Sequence, residues 1–531
     1  MTMENRFNLI DEPWIPVADH GRVSLRQIFK SPEYRSLGGN PVQKIAILKL
    51  LLAIAQAAAT PKDDVEWKEL GADGLARRCL DYLDQWYDHF YLYGDKPFLQ
   101  VPAVAELIEK RTSSKFSSAK TGTKKKEAEL GGKPKRLGAG FYPDMPSSNN
   151  TMLSHTLFER NLDDKDKALF VVMIMNFSFG GKRVEADMKS LAGKEMGSRY
   201  SAPAGPSLGG WIGNLHSFVS TGSVLSSVWV NLITASYIEK TKMWANGIGR
   251  PVWEVLPSSE DCEIAKRYKS SYMAVLVSMS RFALLKDEGI YYMDGINYPS
   301  IKEGWFEPSL ILDRSGSDIK TKYVDPDKRP WRELDSLLAF ISGVESQSFE
   351  CLSLRIGIDR ARDIVPRFAV WSGGLKVSVN SGDQSVKQSD DFVESQVWLY
   401  GDVLGESWFG QLKKEMDELD TLSNTLWGKV RSYYSALKAD NGKDINKTPA
   451  GKMARGAKGL FWQLCERDFQ ELVDQCDQTE IAATQRHKLR QRFAGYVNQA
   501  YDKFCPRETA RQLDAWAKCR PNNSKYLKKE A

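Results

Sequence analysis

The sequence is poor in the residues from which metal sites and disulfides are built. It has seven cysteines and five histidines in 531 residues, no cysteines in C-x-x-C spacing and no histidines in H-E-x-x-H spacing. An odd number of scattered cysteines does not fit a disulfide framework, and the missing thiolate pairs exclude the common structural zinc sites. We therefore expect free thiols in a reducing compartment, with no metal and no other cofactor.

The pattern of a secretory leader or a membrane span is also missing. The N-terminus lacks a basic segment followed by an apolar one. The longest apolar run, 42–59, is interrupted by Lys44, Lys49 and Gln56. Charges inside such a run favour a buried helix over a membrane span. The expected location is the cytoplasm, with no membrane partner.

Motifs for nucleotide hydrolysis and acid–base catalysis are absent as well. The stretch GGKR at 180–183 lacks the G-x-x-x-x-G-K-[ST] frame of a phosphate-binding loop. The carboxylate pairs Asp163-Asp164 and Asp390-Asp391 are adjacent in sequence, so on a helix they do not face one target. Their charges are more typical of a helix start. We expect a protein without enzymatic activity.

Overall charge gives no reason to expect nucleic-acid binding, but local charge does. The whole chain carries only +6. Between Lys110 and Arg136, ten lysines and arginines stand against two glutamates, which gives a local charge of +8. This stretch has few large apolar residues, so we expect a mobile loop. Its lysines, including Lys124, Lys125 and Lys126, either contact phosphates without sequence preference or form a solvated insertion; charge alone does not decide.

From about residue 400 the pattern is purely helical. Apolar residues recur at spacings of three and four in four successive stripes. The stripes are Trp408, Leu412, Met416, Leu419, Leu422, Leu426, Val430, Tyr433 and Leu437; Leu460, Leu464, Phe469, Leu472 and Cys476; Leu489, Phe493, Val497, Ala500 and Phe504; and Leu513 and Trp516. Four amphipathic helices with short links predict a four-helix bundle over 399–531.

The preceding residues, 1–398, mix helical patterns with hairpin patterns. A strand over 272–285, the turn 286–289 and a second strand over 290–295 predict one hairpin, with Lys286 at the start of its turn. A second hairpin is predicted over 373–389, where Leu375, Val377 and Val379 alternate before a turn at 381–383. The expected fold class is α+β: a large mixed N-terminal domain with hairpins and helices, followed by the bundle.

The opening stretch RFNLIDEPWIPVADHGRVSLRQIF, residues 6–29, predicts a short hairpin at an edge. Pro13 and Pro16 remove two N–H donors, so this segment can only be an edge strand or the first strand of a sheet. Trp14 and Ile15 stand between the prolines and are expected to anchor the strand to the core. The segment therefore predicts an architectural role rather than a direct contact with a ligand.

This opening resembles that of the large subunit of the type I-E CRISPR Cascade complex, the CasA family, through the residues FNLIDEPWIPV. The stretches DKPFLQ (95–100) and GRPVWE (249–254) and the C-terminal bundle match in register. The resemblance covers essentially the whole chain and is strongest in the first hundred residues. The chain lacks the zinc-binding cysteine pairs of some family members, so no metal site is implied.

The resemblance implies a non-catalytic protein at the foot of a crRNA-bearing complex, near the crRNA 5′ end. Such a protein reads the protospacer-adjacent motif in double-stranded target DNA, chiefly from the minor groove, helps to open the duplex, and receives the helicase–nuclease of the pathway. The implied partners are crRNA, target DNA, that helicase–nuclease, and the other Cascade subunits: the backbone, 5′-handle-binding and small subunits. Minor-groove readout is degenerate, which suits a reader that tolerates several motifs.

The same resemblance implies specific contact residues. A glycine-containing DNA-contacting loop falls on APAG, although some relatives have several glycines there. A groove-entering lysine falls on the first hairpin and a glutamine wedge on the tip of the second, 380–384. A crRNA- and DNA-contacting loop falls within 145–151. The implied residues are Ala202, Pro203, Ala204 and Gly205; Lys286; Asn380 and Gln384; and Ser148, Asn149, Asn150 and Thr151.

Two other classes of function stay open from the residues alone. One is a scaffold that joins partner proteins without reading DNA. The other is a nuclease with an unfamiliar site, which the lack of clustered histidine and aspartate disfavours. A salt titration of DNA binding separates the reader from the scaffold, and metal-dependent cleavage identifies the nuclease.

Overall fold

The described residues form two compact units. The computed structural model describes residues 4–105, 162–177, 213–287, 289–296, 298–299, 301, 305–342, 349–380, 383–385, 392–437 and 448–527. Unit 1 comprises Met1–Pro330, Ser348–Ile364 and Ala369–Gln396, and unit 2 comprises Trp331–Gln347, Val365–Phe368 and Val397–Ala531. Unit 2 thus contains the predicted bundle range together with two earlier segments of the chain.

The described strands are short and form small sheets. In chain order they are β1 (Arg6–Asn8), β2 (Ile15–Val17), β3 (Gly21–Val23), β4 (Tyr91–Tyr93), β5 (His216–Ser220), β6 (Arg281–Lys286), β7 (Gly289–Asp294), β8 (Leu312–Asp313), β9 (Lys320–Thr321), β10 (Phe349–Glu350), β11 (Arg367–Leu375), β12 (Ser378–Asn380), β13 (Asp383–Ser385) and β14 (Phe392–Tyr400). The sheet orders are β1–β4, β2–β3, β6–β7, β12–β13, β10–β8–β9 and β14–β11–β5. Small sheets of this kind cannot form a core alone, so helices must cover them.

Helices account for most of the remaining described structure. In chain order they are α1 (Leu25–Lys30), α2 (Pro41–Ala58), α3 (Asp64–Gln85), α4 (Asp164–Asn176), α5 (Val224–Val230), α6 (Ala235–Thr241), α7 (Glu263–Lys269), α8 (Met273–Leu276), α9 (Leu334–Leu337), α10 (Leu352–Ile364), α11 (Glu406–Ala436), α12 (Pro449–Asp474), α13 (Glu480–Phe504), α14 (Ala510–Cys519) and α15 (Ser524–Leu527). The mixture confirms the expected α+β fold class.

The opening segment has the architecture that its prolines predict. The β2 strand pairs with β3, with Pro16 opposite Arg22, in a two-stranded sheet. Trp14 is completely buried, and its Nε1 donates to the Leu9 carbonyl at 3.0 Å. The turn uses Asp19 and Gly21 at positive φ, which short polar residues and glycine tolerate best. The predicted hairpin and the buried position of Trp14 are confirmed.

Helix α2 is the central buried helix of unit 1. Its N-terminus is fixed by a capping box between Asn40 and Gln43, with Pro41 in the first turn. Among described helices, α2 is the one long and apolar enough to cross a membrane, but 72% of its apolar window is buried inside the protein. Its interior polar residues are paired: Lys49 with Glu307, and Gln56 with the backbone of Ile233. The predicted buried helix is confirmed.

The first predicted hairpin is present, but its first strand is shorter than expected. Residues 272–285 were expected to be one strand, whereas Met273–Leu276 form the short helix α8 and only Arg281–Lys286 form β6. A short apolar run is compatible with either a buried helical turn or a buried strand, because the side chains of both elements are shielded from solvent on all sides. The turn lies where it was predicted, because β6 ends at Lys286.

The second predicted hairpin is also present in a shorter form. Strand β11 extends to Leu375 and pairs with β5, so this residue belongs to the three-stranded sheet. The hairpin itself is β12–β13, in which Ser378, Val379 and Asn380 oppose Ser385, Gln384 and Asp383. Leu375 and Val379 therefore lie in different sheets, and the continuous strand expected from 373 is interrupted.

Unit 2 contains the helical bundle. Three long helices, α11, α12 and α13, pack against one another, while α14 packs on α11 and α15 packs on α13. The described members of the first stripe up to Tyr433 are buried on α11. Helix α12 begins at Pro449 after the N-cap Thr448, and α13 begins at Glu480 after the N-cap Thr479. The predicted bundle is confirmed, with α14 as its short fourth helix.

Two of the predicted stripes are confirmed only in part. In the second stripe Phe469, Leu472 and Cys476 are buried as predicted, but Phe461 and Cys465 are buried where Leu460 and Leu464 are half-buried. On α14 the buried residue is Ala515, and Leu513 is 49% exposed. Both helices offer apolar residues on two adjacent faces, so spacing alone does not select the face that meets the bundle.

Candidate nucleic-acid interface

The β6–β7 hairpin carries Lys286, the lysine expected to enter a DNA groove. The register pairs Arg281 with Asp294 and ends with Lys286 opposite Gly289, so two residues connect the strands. The strand residues before Lys286 are buried, whereas Lys286 itself is half-buried. Its ammonium group has no hydrogen bond or ion pair with any described residue. A buried strand therefore ends in a cation that pairs with no residue in the described part of the chain.

An ion pair from the N-terminus holds the turn next to Lys286. Arg6 Nη2 donates to Asp287 Oδ1 at 3.0 Å, and Arg6 Nε lies 3.9 Å from Asp164 Oδ2. The Arg6 guanidinium is 4.1 Å from the centroid of the Tyr93 ring, and the Tyr93 hydroxyl donates to Asp164 at 3.1 Å. Four segments of unit 1 that are distant in sequence thus meet beside the hairpin turn. They contribute Arg6, Tyr93, Asp164 and Asp287.

The charged groups of this cluster stabilise each other's ionised forms. Burial by itself lowers the pKa of Arg6, but Asp164 and Asp287 outweigh that effect and raise the pKa. Burial and the Asp164 carboxylate raise the pKa of Tyr93, which keeps its hydroxyl protonated as a donor. The cluster engages Asp287 Oδ1 through Arg6 and so anchors the turn beside Lys286.

The β12–β13 hairpin carries the residues expected to form a wedge. Asn380 and Asp383 are its last paired residues, so 381 and 382 connect the strands. Gln384 lies one position further along β13, opposite Val379. The hairpin forms a two-stranded sheet of its own. Asn380 and Gln384 therefore lie at adjacent rungs at the end of a narrow element.

The other expected contact residues lie outside the described residues. They are Ala202, Pro203, Ala204 and Gly205; Ser148, Asn149, Asn150 and Thr151; and Lys124, Lys125 and Lys126. The described chain before and after 178–212 is, however, tightly fixed. Before it, the Asn176 side chain donates to the Leu276 carbonyl and accepts from the Ser278 backbone N–H. After it, the Gly213 carbonyl accepts from Val324 at 2.9 Å.

A buried polar cluster joins the two flanks of 178–212. Lys49 Nζ lies 3.0 Å from Glu307 Oε2, with side chains only 1% and 3% exposed. Ser309 Oγ donates to Glu307 Oε1 at 2.6 Å and lies 2.9 Å from His216 Nδ1. Phe177, the last described residue before 178–212, meets the His216 ring edge-on with centroids 5.4 Å apart. The cluster thus links Phe177 on one flank to His216 on the other.

The electrostatics of this cluster fix the charge of its carboxylate. Burial alone raises the pKa of Glu307, but Lys49, His216 and Ser309 overcome it and lower the pKa to about 2. Burial lowers the pKa of Lys49, which Glu307 opposes. A buried carboxylate with these partners is a structural anion, since removing Lys49 would leave its charge uncompensated.

Sequence reasoning missed both clusters. Lys49 was noticed as a charge within an apolar run, and such a residue on a buried helix needs a buried counter-charge. Nothing in the sequence identifies Glu307 as that partner, or Asp287 as the partner of Arg6. Within the described residues, no group of three or more histidine, cysteine or acidic side chains could hold a metal ion. All seven cysteines are free.

Known proteins resemble this chain over most of its length. The family profile described as CRISPR-associated protein Cse1 matches residues 8–500. A CRISPR-associated protein CasA/Cse1 from Thermus thermophilus is 34% identical over 112 residues, which cover 19% of this chain and 22% of that protein. The sequence alignment with that relative therefore spans about a fifth of its length.

Solved structures share the fold at low sequence identity. A crystal structure of Thermus thermophilus CasA has a TM-score of 0.69 at 16% identity, covering 98% of this chain and 99% of that one. Thermobifida fusca Cse1 has a TM-score of 0.68 at 20% identity, with 98% of each chain covered. A chain of a CRISPR RNA-guided surveillance complex has a TM-score of 0.64 at 13% identity, with 99% of this chain and 100% of that chain covered.

Proposed function

The chain belongs to the CRISPR-associated Cse1 family, also called CasA, and on that premise we propose that it is the non-catalytic large subunit of a crRNA-guided antiviral DNA surveillance complex. In this proposal it recognises the protospacer-adjacent motif in double-stranded DNA, helps to open the duplex and recruits the helicase–nuclease. Its partners are crRNA, target DNA, and the backbone, 5′-handle-binding and small subunits. It works in the cytoplasm without a membrane, a metal or another cofactor.

The observation that carries the proposal is Lys286, a cation without a partner among the described residues, at the end of a rigid strand. A minor groove focuses negative potential, so a lysine on a fixed support is attracted into it. The strand before Lys286 is buried and Arg6 engages Asp287, so the backbone that carries Lys286 is anchored on both sides of this residue. Such a support is what a residue needs if its position relative to DNA is to be reproducible.

Duplex opening is assigned to the β12–β13 hairpin. A side chain inserted at a base step costs a few kcal/mol of unstacking, and pairing of the target strand with crRNA offsets that cost. Gln384 and Asn380 both donate and accept hydrogen bonds, so they can replace partners that the bases lose. The narrow two-stranded form of the hairpin supports this role. The 202–205 and 148–151 residues complete the proposed interface as backbone and crRNA contacts.

The decisive experiment is a motif-library binding assay with the reconstituted crRNA complex. Duplex targets that share one protospacer and differ in the adjacent positions are bound, separated and sequenced. A complex with this chain should enrich a limited set of motifs, and the same complex with Lys286→Ala should lose that enrichment. Equal binding of all motifs by the unaltered complex would contradict motif reading and leave a scaffold that joins partner subunits.

A further inference from the structure

A small cavity lies against the face of the β14–β11–β5 sheet, lined by residues of unit 1. Its volume is about 90 Å³. The lining comes from Phe218, Val219 and Ser220 of β5, from Trp371 of β11, and from the alternate residues Glu394 and Gln396 of β14. The cavity is closed on the opposite side by the first turns of α2 and by residues 35–37. The lining residues used below are Arg35, Lys44, Leu48, Ser220, Trp371 and Glu394.

The polar side of the cavity is internally paired. Glu394 Oε1 accepts from Trp371 Nε1 at 2.7 Å and from Lys44 Nζ at 2.6 Å. The carboxylate therefore fixes the indole and neutralises the lysine. The remaining lining is mostly apolar, with Ile45 and Phe218 both buried, and the hydroxyl of the lining residue Ser227 already donates to the Ser223 carbonyl. This wall offers little to a polar ligand that needs new partners inside the cavity.

The rim of the cavity is fixed before anything binds. The Ser36 carbonyl accepts from Ala18 at 3.0 Å, and the Gly38 N–H donates to Pro16 at 2.8 Å. On the other side, the Val224 N–H donates to the Tyr34 carbonyl at 2.8 Å. The proline-rich opening strand thus supports the 35–37 rim. A preformed site binds without the entropic cost of ordering a loop.

Arg35 is a positive charge at the mouth of the cavity that no described residue neutralises. Its side chain is exposed and has no hydrogen bond or ion pair with any described residue. Because Lys44 and Glu394 balance each other, Arg35 is the charge that determines which group is attracted to the mouth. A guanidinium binds a carboxylate through two parallel hydrogen bonds. The charge therefore complements an acidic group placed next to an apolar one.

The volume of the cavity limits the size of the group that can occupy it. Small-molecule sites usually have about 300–1,000 Å³, well above this cavity. An apolar cavity of about 150 Å³ holds a benzene ring, so the present one fits an aliphatic side chain of leucine size. We propose that the cavity is a docking site for a protein partner that inserts one apolar side chain and places an adjacent carboxylate against Arg35. This proposal requires protein partners but does not depend on motif reading.

Photocrosslinking tests the proposal directly. The full-length chain, carrying p-benzoylphenylalanine in place of the exposed Gln396 at the cavity, is assembled into the reconstituted crRNA complex, and the helicase–nuclease is then added. The crosslinked residue is mapped by mass spectrometry. We expect one partner to be captured at or beside an apolar residue that has aspartate or glutamate within about two positions, as bidentate pairing with Arg35 demands. No capture, or capture at a segment without that pair, overturns the proposal.

Three variants test the two halves of the site separately. Arg35→Glu reverses the charge, and Ser220→Leu fills the cavity from β5; each should weaken binding of the captured partner at least tenfold. Arg77→Glu is the matched control, because Arg77 is also exposed and has no described partner. It should bind as the unaltered chain does. Wild-type binding by both Arg35→Glu and Ser220→Leu overturns the proposal, and so does a small molecule found in the cavity by native mass spectrometry.

Folding and motif reading are scored independently. Arg35→Glu changes an exposed side chain, so its thermal unfolding should match that of the unaltered chain and keep the test valid if Ser220→Leu does not fold. Motif enrichment is measured on complexes that have formed with each variant. Lost partner binding with preserved enrichment in formed complexes supports docking alone. If the unaltered complex enriches no motif, the proposed function is contradicted, but the docking proposal is not.

Discussion

Arg6 Nη2 lies 3.0 Å from Asp287 Oδ1, so the first described strand directly contacts the turn that follows Lys286. The two residues are far apart in sequence, and both are largely solvent-exposed. An exposed pair of this kind contributes little to global stability. Its consequence is local, because it engages the acid adjacent to Lys286 and links the turn to Tyr93 and Asp164.

Removal of the Arg6 side chain should therefore loosen the turn without unfolding the protein. We expect Arg6→Ala to lower the free energy of unfolding by about 1 kcal/mol or less. Amide exchange of Asp287 and Gly289 should accelerate, because Asp287 loses its partner and Gly289 lies at the other end of the same turn. Hydrogen exchange with mass spectrometry measures this, and Lys266→Ala, which breaks the exposed pair with Glu263, is the control. Unchanged exchange at 287 and 289 would show that the β6–β7 pairing alone fixes the turn.

Lys286→Ala should affect duplex DNA more than opened DNA. A groove contact from one side chain is worth about 1–3 kcal/mol, so motif-bearing duplex should bind about tenfold or more weakly. A target already unpaired beside the motif should lose less, because groove reading precedes opening. Lys286→Arg preserves the charge and should restore part of the affinity. Equal losses on both targets would make Lys286 a simple phosphate contact.

The buried Lys49–Glu307 pair predicts a large effect from a single truncation. Lys49→Met leaves Glu307 buried without its cation, and breaking such a pair costs about 3–5 kcal/mol. Urea unfolding measures this loss. Lys518→Met, which breaks an exposed ion pair with Asp514, is the control and should cost about 1 kcal/mol or less. A loss below that of the control would mean that the buried pair is already compensated by water.

The same pair predicts the direction of an acid dependence. The pKa of Glu307 is about 2 in the folded protein, below its ordinary value of 4.5. A depressed carboxyl pKa stabilises the fold fully above the ordinary value, and this contribution is lost as pH falls from there toward about 2. Urea midpoints should fall over that interval. Glu307→Gln should have a smaller fall, and an unchanged slope would assign the acid dependence to other carboxylates.

Features built from local sequence were predictable, whereas pairings between distant segments were not. Pro13 and Pro16 restrict the backbone whatever surrounds them, so the edge strand and buried Trp14 followed from the sequence. The face of α12 that enters the bundle depends on its neighbours, so Phe461 replaced Leu460 in the core. Lys49 lies within an apolar run, so the sequence predicts that a buried counter-charge is needed. A single sequence does not indicate which distant acid supplies that charge.

The Lys110–Arg136 run remains a prediction from charge. Replacing Lys124, Lys125 and Lys126 with alanine should weaken binding to all DNA sequences alike. Each lost phosphate contact should reduce the slope of log affinity against log salt by about 0.9. A salt titration on two unrelated duplexes measures both effects. Unchanged binding at low salt would identify the run as a solvated insertion.

The β12–β13 hairpin allows a shortening that preserves its register. Ser378 opposes Ser385, and the next two rungs are Val379–Gln384 and Asn380–Asp383. Deleting those two rungs, four residues in all, leaves the connecting residues attached to the Ser378–Ser385 pair. The arm then loses two residues of rise, about 7 Å at about 3.4 Å per residue. Deleting one residue instead would reverse the side-chain faces, so the paired deletion is the cleaner change.

We expect the shortened hairpin to separate duplex opening from assembly. The hairpin forms its own two-stranded sheet, so folding and formation of the crRNA complex should be preserved. Binding to duplex target should fall sharply, while binding to a target already unpaired beside the motif should largely survive, because a wedge acts only on closed base pairs. The point variant Asn380→Ala with Gln384→Ala keeps the length and tests the side chains alone. Permanganate reactivity of unpaired thymines follows opening directly, and normal reactivity with the shortened hairpin would refute the wedge assignment and make this hairpin an ordinary surface loop.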